Sequence, residues 1–208
     1  MMNHNRQAVS AMRRQVSFFA ASLSSPRRTG ALAPSSGMLG RAMARAAGAS
    51  DPAKILEFGP GTGTVTSKLI EAGAREENLT LVELNPVFAH LLADRFPLAR
   101  VISGEALAVA EALRQERTMF SSVVSSLPCM NFPHEFRENL LVKSMELLQP
   151  GRPLVQFTYS LAPPLPKLPT VRVTRTRRIW ANMPPAVVWS YRIRLGSGQG
   201  EERGENAG

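Results

Sequence analysis

Four short groups of residues have types and spacings that could do chemistry. Glu57-Phe58-Gly59-Pro60-Gly61-Thr62-Gly63 closes an apolar run and opens a helical pattern. Glycine at such a junction lets the backbone turn tightly and approach a ligand. The spacing excludes two phosphate-binding loops, since a P-loop would end in Gly-Lys-Ser or Gly-Lys-Thr and a dinucleotide loop would need Gly where Thr64 stands. Twenty residues after Gly63, the next apolar run ends in Leu81-Val82-Glu83-Leu84-Asn85-Pro86. A carboxylate there can accept hydrogen bonds from both hydroxyls of a ribose, which makes Glu83 the expected ribose ligand. The other two groups are Gly104-Glu105-Ala106, and Ser125-Ser126-Leu127-Pro128-Cys129 with Asn131 close behind it. His134 could serve as a base, but it opens a helical pattern and reads better as an exposed terminal residue. Cys129 has neither a second Cys nor an adjacent base, so it reads as a small apolar site residue and not as a nucleophile. The three scattered His and single Cys form no metal-ligand cluster.

These groups need a scaffold that brings loop after loop to one edge. Short apolar runs alternate with helical patterns: strand Lys54 to Phe58, helix Val65 to Ala72, strand Thr80 to Glu83, helix Pro86 to Arg95, strand Arg100 to Ile102. The alternation continues through helix Ala106 to Gln115, strand Met119 to Ser126, helix Glu135 to Leu148 and strand Pro153 to Tyr159. That pattern predicts a doubly wound parallel α/β sheet, with each chemical group at a strand's carboxyl end. Beyond Tyr159, Pro163, Pro164, Pro166 and Pro169 forbid another helix. Two extended runs, Val171 to Trp180 and Ala186 to Arg194, then read as an antiparallel hairpin at the sheet edge. Before the sheet, Val9, Met12, Val16, Phe19 and Leu23 recur at helical spacing. Pro26 to Ser36 reads as a linker to a second helix, Gly37 to Ala47, with Ser35 or Ser36 as its N-cap. The expected organisation is an amphipathic helix in residues 1–25, a catalytic domain over 26–195 and a disordered polar tail over 196–208.

The E-x-G-x-G-x-G turn with Glu83 and the Gly-Glu-Ala and Ser-Leu-Pro segments resembles the class I S-adenosylmethionine-dependent methyltransferases, over Lys54 to Tyr159. The resemblance implies a Rossmann-like sheet and S-adenosylmethionine as cofactor, held by Glu57, Gly59, Gly61, Gly63, Glu83, Leu84, Glu105, Ala106, Ser126 and Ser35. Further stretches are similar to the soluble bacterial phosphatidylethanolamine N-methyltransferases. They are Arg28 to Ser36, Leu127-Pro128 with Asn131-Phe132-Pro133, Gln156 to Tyr159 before the proline-rich turn, and Trp180 to Tyr191. This second resemblance implies N-methylation of phosphatidylethanolamine, and of its mono- and dimethyl derivatives toward phosphatidylcholine. Tyr159 would contact the amine, Asn131 would orient the headgroup, and Ser126 would lie beside the sulfonium. Arg177 and Arg178 with Trp180, or else Arg27 and Arg28, would hold the lipid phosphate. The alternatives are an RNA adenine N6-methyltransferase and a non-catalytic membrane or RNA binding module. Ser126-Leu127-Pro128-Cys129 lacks the amide and the aromatic that adenine methyltransferases commonly place there, which disfavours the first.

Charge distribution points to the partner. The 208 residues carry 25 Lys plus Arg against 16 Asp plus Glu, a net charge of +9. Residues 1–50 hold seven Arg and no acid, and residues 151–200 hold eight basic residues and no acid, around a mildly acidic centre. Such flanks suit a polyanion. Anionic lipid attracts a polybasic segment by about 1 kcal/mol per basic residue. An aromatic content of 6% offers little stacking surface for unpaired bases, which favours lipid over nucleic acid. No run approaches the roughly 18 apolar residues of a spanning helix, and one Cys excludes a disulfide scaffold. The expectation is a cytoplasmic enzyme, peripheral at the inner face of the cytoplasmic membrane, with no obligate protein partner.

Overall fold

A computed structural model describes residues 32–49, 54–176, 178–180 and 184–194, with side chains from Gly37 onward. The helix expected over residues 5–23, the arginines Arg27, Arg28 and Arg177, and the tail 196–208 lie outside the described residues. Seven strands form one sheet: β1 Ile55–Phe58, β2 Leu79–Glu83, β3 Arg100–Ser103, β4 Ser122–Ser125, β5 Leu154–Thr158, β6 Val171–Arg175 and β7 Val187–Ile193. Their order is β3-β2-β1-β4-β5-β7-β6, with β7 antiparallel to both β5 and β6 and every other pair parallel. The expected Rossmann-like sheet and closing hairpin are both present. The hairpin's second strand is the inner one, paired to β5, so β6 forms the sheet edge.

Strands β1, β2, β4 and β5 are buried over their whole length, which requires a layer on each face of the sheet. The helices α1 Leu32–Ala47, α2 Thr64–Glu71, α3 Pro86–Arg95, α4 Ala106–Gln115 and α5 His134–Glu146 supply those layers. Alternate strand residues divide between them. Ile55, Leu79, Leu81, Val124 and Val155 face Met43 of α1, Leu69 of α2 and Leu92 of α3. Leu56, Phe58, Val82, Val123 and Leu154 face Leu113 of α4 and Leu140 and Leu141 of α5.

Helix α1 begins at Leu32, five residues before the expected Gly37, so Ser35 and Ser36 lie within it and neither is its N-cap. The expected linker Pro26 to Ser36 thus ends by Leu32, and Pro34 is tolerated because a proline in the first helical turn removes only an N–H that has no intrahelical partner. The helix packs closely on α2, where Gly40 lies so near Lys68 that an added Cβ would come within 2.8 Å of its Cγ. On the opposite face, the proline-rich segment after β5 is fastened by the buried Leu165, whose N–H donates to the Tyr191 hydroxyl at 3.3 Å. Arg137 of α5 donates to the Pro164 carbonyl, also at 3.3 Å. The segment therefore has fixed anchors although it has no regular structure.

Gly63 precedes α2 at φ 82, and a Cβ there would meet Phe96 at 2.4 Å and Leu92 at 3.1 Å. Substitution combines backbone strain with overpacking against α3. We expect Gly63→Ala to lower the free energy of unfolding in urea by about 1–3 kcal/mol.

Candidate active site

The order of connections reverses between β1 and β4, which opens a crevice at the carboxyl ends of the central strands. Three of the loops there continue the sheet's hydrogen bonding: Gly59 N–H donates to Val82, Gly104 N–H to Glu83 and Ser126 N–H to Phe58, all at 2.9–3.0 Å. These bonds place the groups singled out in the sequence side by side. Glu83 is 2% exposed, and its Oε2 accepts from Gly61 N–H at 3.0 Å while Oε1 accepts from Asn85 N–H at 2.9 Å. Each carboxylate oxygen can accept twice, so both retain a site for a ribose hydroxyl. Gly61 has φ 58, and a Cβ built on it would meet nothing within 4 Å, so its open side is space for a ligand.

Glu57 lies fully buried below this turn. Its Oε2 accepts from the Thr66 hydroxyl at 2.7 Å, while Oε1 has no hydrogen-bond partner. Burial pushes its pKa up to about 7, the Thr66 hydroxyl opposing the rise and the charge of Glu83 adding to it. Ser126 Oγ is likewise buried without a partner, and its hydroxyl favours the charged carboxylate without reaching bonding geometry. An orphaned carboxylate oxygen near a glycine turn open on one side, and a second carboxylate whose oxygens keep free acceptor sites, fit a nucleoside that also carries an ammonium group.

A cleft runs on from Glu83 between Leu84, Gly104, Glu105 and Ala106 on one side and Leu127, Phe132 and Phe136 on the other. Glu105 serves the scaffold as well: its two oxygens cap α4 by accepting from Leu107 and Ala108 N–H at 3.1 and 2.8 Å. Leu127 is shared with a second cavity of about 230 Å³, lined by Pro128, Cys129, Met130 and Asn131 on one side and Phe157, Thr158, Tyr159 and Ser160 on the other. Asn131 and Tyr159, singled out separately in the sequence, thus border one cavity. Tyr159 is half-buried, its ring edge-on to Phe157 with centroids 5.5 Å apart.

The sequence assigns no individual role to several of these residues, although Phe132 and Gln156 stand in stretches that carry the resemblance. Gln156 is fully buried in β5 and fastens the β4 loop, donating to the Leu127 and Phe157 carbonyls at 2.9 Å and accepting from the Cys129 thiol at 3.1 Å. The signal was a lone polar residue in an apolar strand. Phe132 and Phe136, with centroids 4.5 Å apart, had no distinguishing spacing. Burial pushes the Cys129 thiol up to about 12, so it is held protonated, in keeping with a packing residue. His134 is the first residue of α5, exposed, and 3.7 Å from Glu138. Arg178 stacks on the Trp180 ring at 4.6 Å, outside both cavities. The Ser35 side chain and Arg177 lie outside the described residues. Among those residues no group of His, Cys, Asp or Glu could hold a metal ion, and no helix is long and apolar enough to cross a membrane.

The state of Glu57 affects stability. Its folded pKa of about 7 exceeds its ordinary value of 4.5, so the native state holds this proton more tightly than the unfolded chain. The resulting stability is fully present below pH 4.5 and lost as pH rises through 7, a fall of about 3 kcal/mol. Urea unfolding without cofactor at pH 5 and pH 8 should register this loss, and Glu57→Gln should abolish it.

No model of a known protein family matches the chain. Over 133 residues it is 31% identical to an ornithine lipid N-methyltransferase of Singulisphaera acidiphila, an alignment that covers 61% of this chain and 68% of that protein. It is 36% identical over 95 residues to a probable ribosomal RNA small subunit methyltransferase A of Methanothermobacter thermautotrophicus, covering 45% of this chain but 32% of that protein. The fold is that of an O-methyltransferase from Bacillus cereus in complex with SAH, with TM-score 0.62, 14% identity, and 88% and 91% of the two chains covered. An O-methyltransferase of tomaymycin synthesis from Streptomyces achromogenes, in complex with SAM, superposes with TM-score 0.57 and 18% identity, covering 75% of this chain and 79% of that one. With a glycine turn pinned by Glu83 and homology over two thirds of a lipid N-methyltransferase, the chain belongs to the class I S-adenosylmethionine-dependent methyltransferases.

Proposed function

We propose that this methyltransferase acts on the amino nitrogen of a phospholipid headgroup at a membrane surface, with phosphatidylethanolamine and its mono- and dimethyl derivatives as acceptors. The observation that carries this reading is the uncharged cavity that meets the nucleoside cleft at Leu127. A lipid amine is protonated in water and becomes a nucleophile only once that proton is lost. None of the residues lining the cavity is a carboxylate, so desolvation there favours the neutral form. Tyr159 contacts the amine, Asn131 orients the headgroup, and Ser126 lies at the floor of the crevice. The methylated product is cationic, and the Tyr159 ring can accommodate it by cation–π attraction. Arg178, held on Trp180, and Arg177 beside it in the sequence supply charge for the lipid phosphate.

When bound, S-adenosylmethionine supplies an electrophilic methyl on a positively charged sulfur. The chain's own task is then to place the two reactants in line and exclude water. Glu83 takes the ribose, Gly59, Gly61 and Gly63 form the turn beneath it, and the Glu57 carboxylate answers the ammonium end. Leu84, Glu105 and Ala106 border the adenine, and Ser35 of α1 completes the set.

Ornithine lipid is a second acceptor, supported by the resemblance to the Singulisphaera acidiphila enzyme. An adenine base is disfavoured by the β4 loop. Where an aromatic would stack on the base, Cys129 is buried and bonded to Gln156.

Two measurements test this reading. Glu83→Ala should weaken S-adenosylhomocysteine binding in calorimetry by at least about tenfold, since charge-assisted hydrogen bonds contribute roughly 1.5–3 kcal/mol each. Transfer of labelled methyl to phosphatidylethanolamine vesicles, ornithine lipid vesicles or total RNA should place label in lipid. Tyr159→Ala should lower that turnover at least about tenfold with cofactor affinity unchanged. Label in RNA alone would sink the lipid reading.

A further inference from the structure

The loops around the cavity carry large apolar side chains on their outer side. Met130, in the turn after β4, is 47% exposed, and Leu161, in the segment after β5, is 58% exposed. Trp180, in the turn between β6 and β7, is 72% exposed. Strand register places the three at one end of the molecule. Thr158 pairs with Val187, so Tyr159 stands level with Ala186, and Ala186 bridges to Ile179. Tyr159 and Ile179 therefore occupy one row across the sheet, and Leu161 and Trp180 project just beyond it. Met130 lines the cavity, and Leu161 follows Ser160, which also lines it.

Each of these residues has a described contact beside or beneath it. Cys129 is buried next to Met130, and Leu165 anchors the segment that carries Leu161. Leu161 also lies within consecutive side-chain turns, Thr158 Oγ1 accepting from Ser160 N–H at 3.0 Å and Ser160 Oγ from Ala162 N–H at 3.1 Å. Trp180 rests on the Arg178 guanidinium at 4.6 Å. Single exposed apolar side chains such as Val87 and Leu98 are ordinary on a protein surface, whereas a group of them around a cavity marks a contact site.

Charge identifies what they meet. From Leu147 to Gly200 there is no acidic residue. Arg178 stands two residues before Trp180, and Arg175 pairs with Trp189 on the half of the hairpin toward the rim, whereas Arg172, Arg192 and Arg194 lie at its other end. The β4 loop, Ser126 to Pro133, has no acid either, and the first one on that side is Glu135 in the opening turn of α5. Exposed Met, Leu and Trp tips backed by cations and free of carboxylates complement an anionic lipid surface, where Trp sits at the headgroup level and the aliphatic tips reach the acyl boundary.

We infer that Met130, Leu161 and Trp180 form a rim that seats the cavity mouth on an anionic bilayer, so that a headgroup enters the site without its lipid leaving the leaflet. The inference rests on the lipid reading above. It assigns membrane contact to the catalytic domain itself, in addition to any contact made by the residues before Leu32.

Trp180 reports on the rim directly, because the only other tryptophan, Trp189, is buried in β7. With the full chain and vesicles of phosphatidylethanolamine and phosphatidylglycerol, Trp emission should shift to the blue, and Trp180→Phe should abolish the shift. Leu161→Asp and Trp180→Asp should each lower partition onto these vesicles at least fivefold, with S-adenosylhomocysteine affinity within twofold of the unaltered chain. Unchanged partition in both variants, absence of an emission shift, or a shift produced by RNA and not by vesicles would overturn the rim. Vesicle partition that is lost in the variants, together with no methylation of any lipid by the unaltered chain, would support the rim and overturn the lipid N-methylation reading. Lipid methylation by Leu161→Asp with an unaltered KM for vesicle lipid would do the reverse.

Discussion

The Glu83 carboxylate is the constraint on which the rest of the site depends. It stands at the end of a buried strand and accepts two backbone N–H groups, one from the glycine turn across the strand boundary and one from its own loop. Through the first bond the shape of the Gly59–Gly63 turn is tied to β2, and through the second the approach to α3 is fixed. Glutamine, of the same size, would keep one acceptor oxygen and turn an NH2 toward the other backbone N–H, leaving that donor unpaired in a buried crevice, where the loss is greatest. The same two oxygens keep the acceptor sites that the proposed ribose contact requires, so that contact and the shape of the turn depend on one group.

Glu57, one strand away, is the counterpart of this arrangement. Burial, with a smaller addition from the charge of Glu83 at the neighbouring strand end, lets Glu57 retain a proton to near neutral pH. The Thr66 hydroxyl of α2 satisfies one oxygen and leaves the other unpaired at the base of the crevice. Buried polar atoms are ordinarily paired, which sets this unpaired oxygen apart and is what the proposed contact with an ammonium group rests on.

The second cavity is organised by a neutral residue. Gln156 holds the β4 loop to β5 by two hydrogen bonds, to Leu127 and Cys129, and that loop carries Leu127 and Asn131 to opposite ends of one short turn. Leu127 separates the cleft beside Glu83 from the second cavity, and its side chain also fills the space over Gly59, where a Cβ would approach it to 2.7 Å. The division of the crevice into two compartments thus depends on the glycine turn as well.

Much of this was legible in the sequence because parallel strands buried on both faces need uninterrupted apolar runs, and such runs are visible whatever surrounds them. The boundaries of α3 and α4 could be read from Asn85-Pro86 and Glu105, whose side chains cap the helices locally. The start of α1 could not, because Pro34 and the two serines are compatible with either a linker or a first turn, and packing on α2 decided between them. The glycine turn, Glu83 and the class of ligand followed from residue types at fixed intervals. The meeting of Asn131 with Tyr159, the clasp made by Gln156 and the grouping of Met130, Leu161 and Trp180 depend instead on strand order and register. Residues in different βα units are brought together by sheet pairing over long separations, and no local pattern in the chain records which strands will be neighbours.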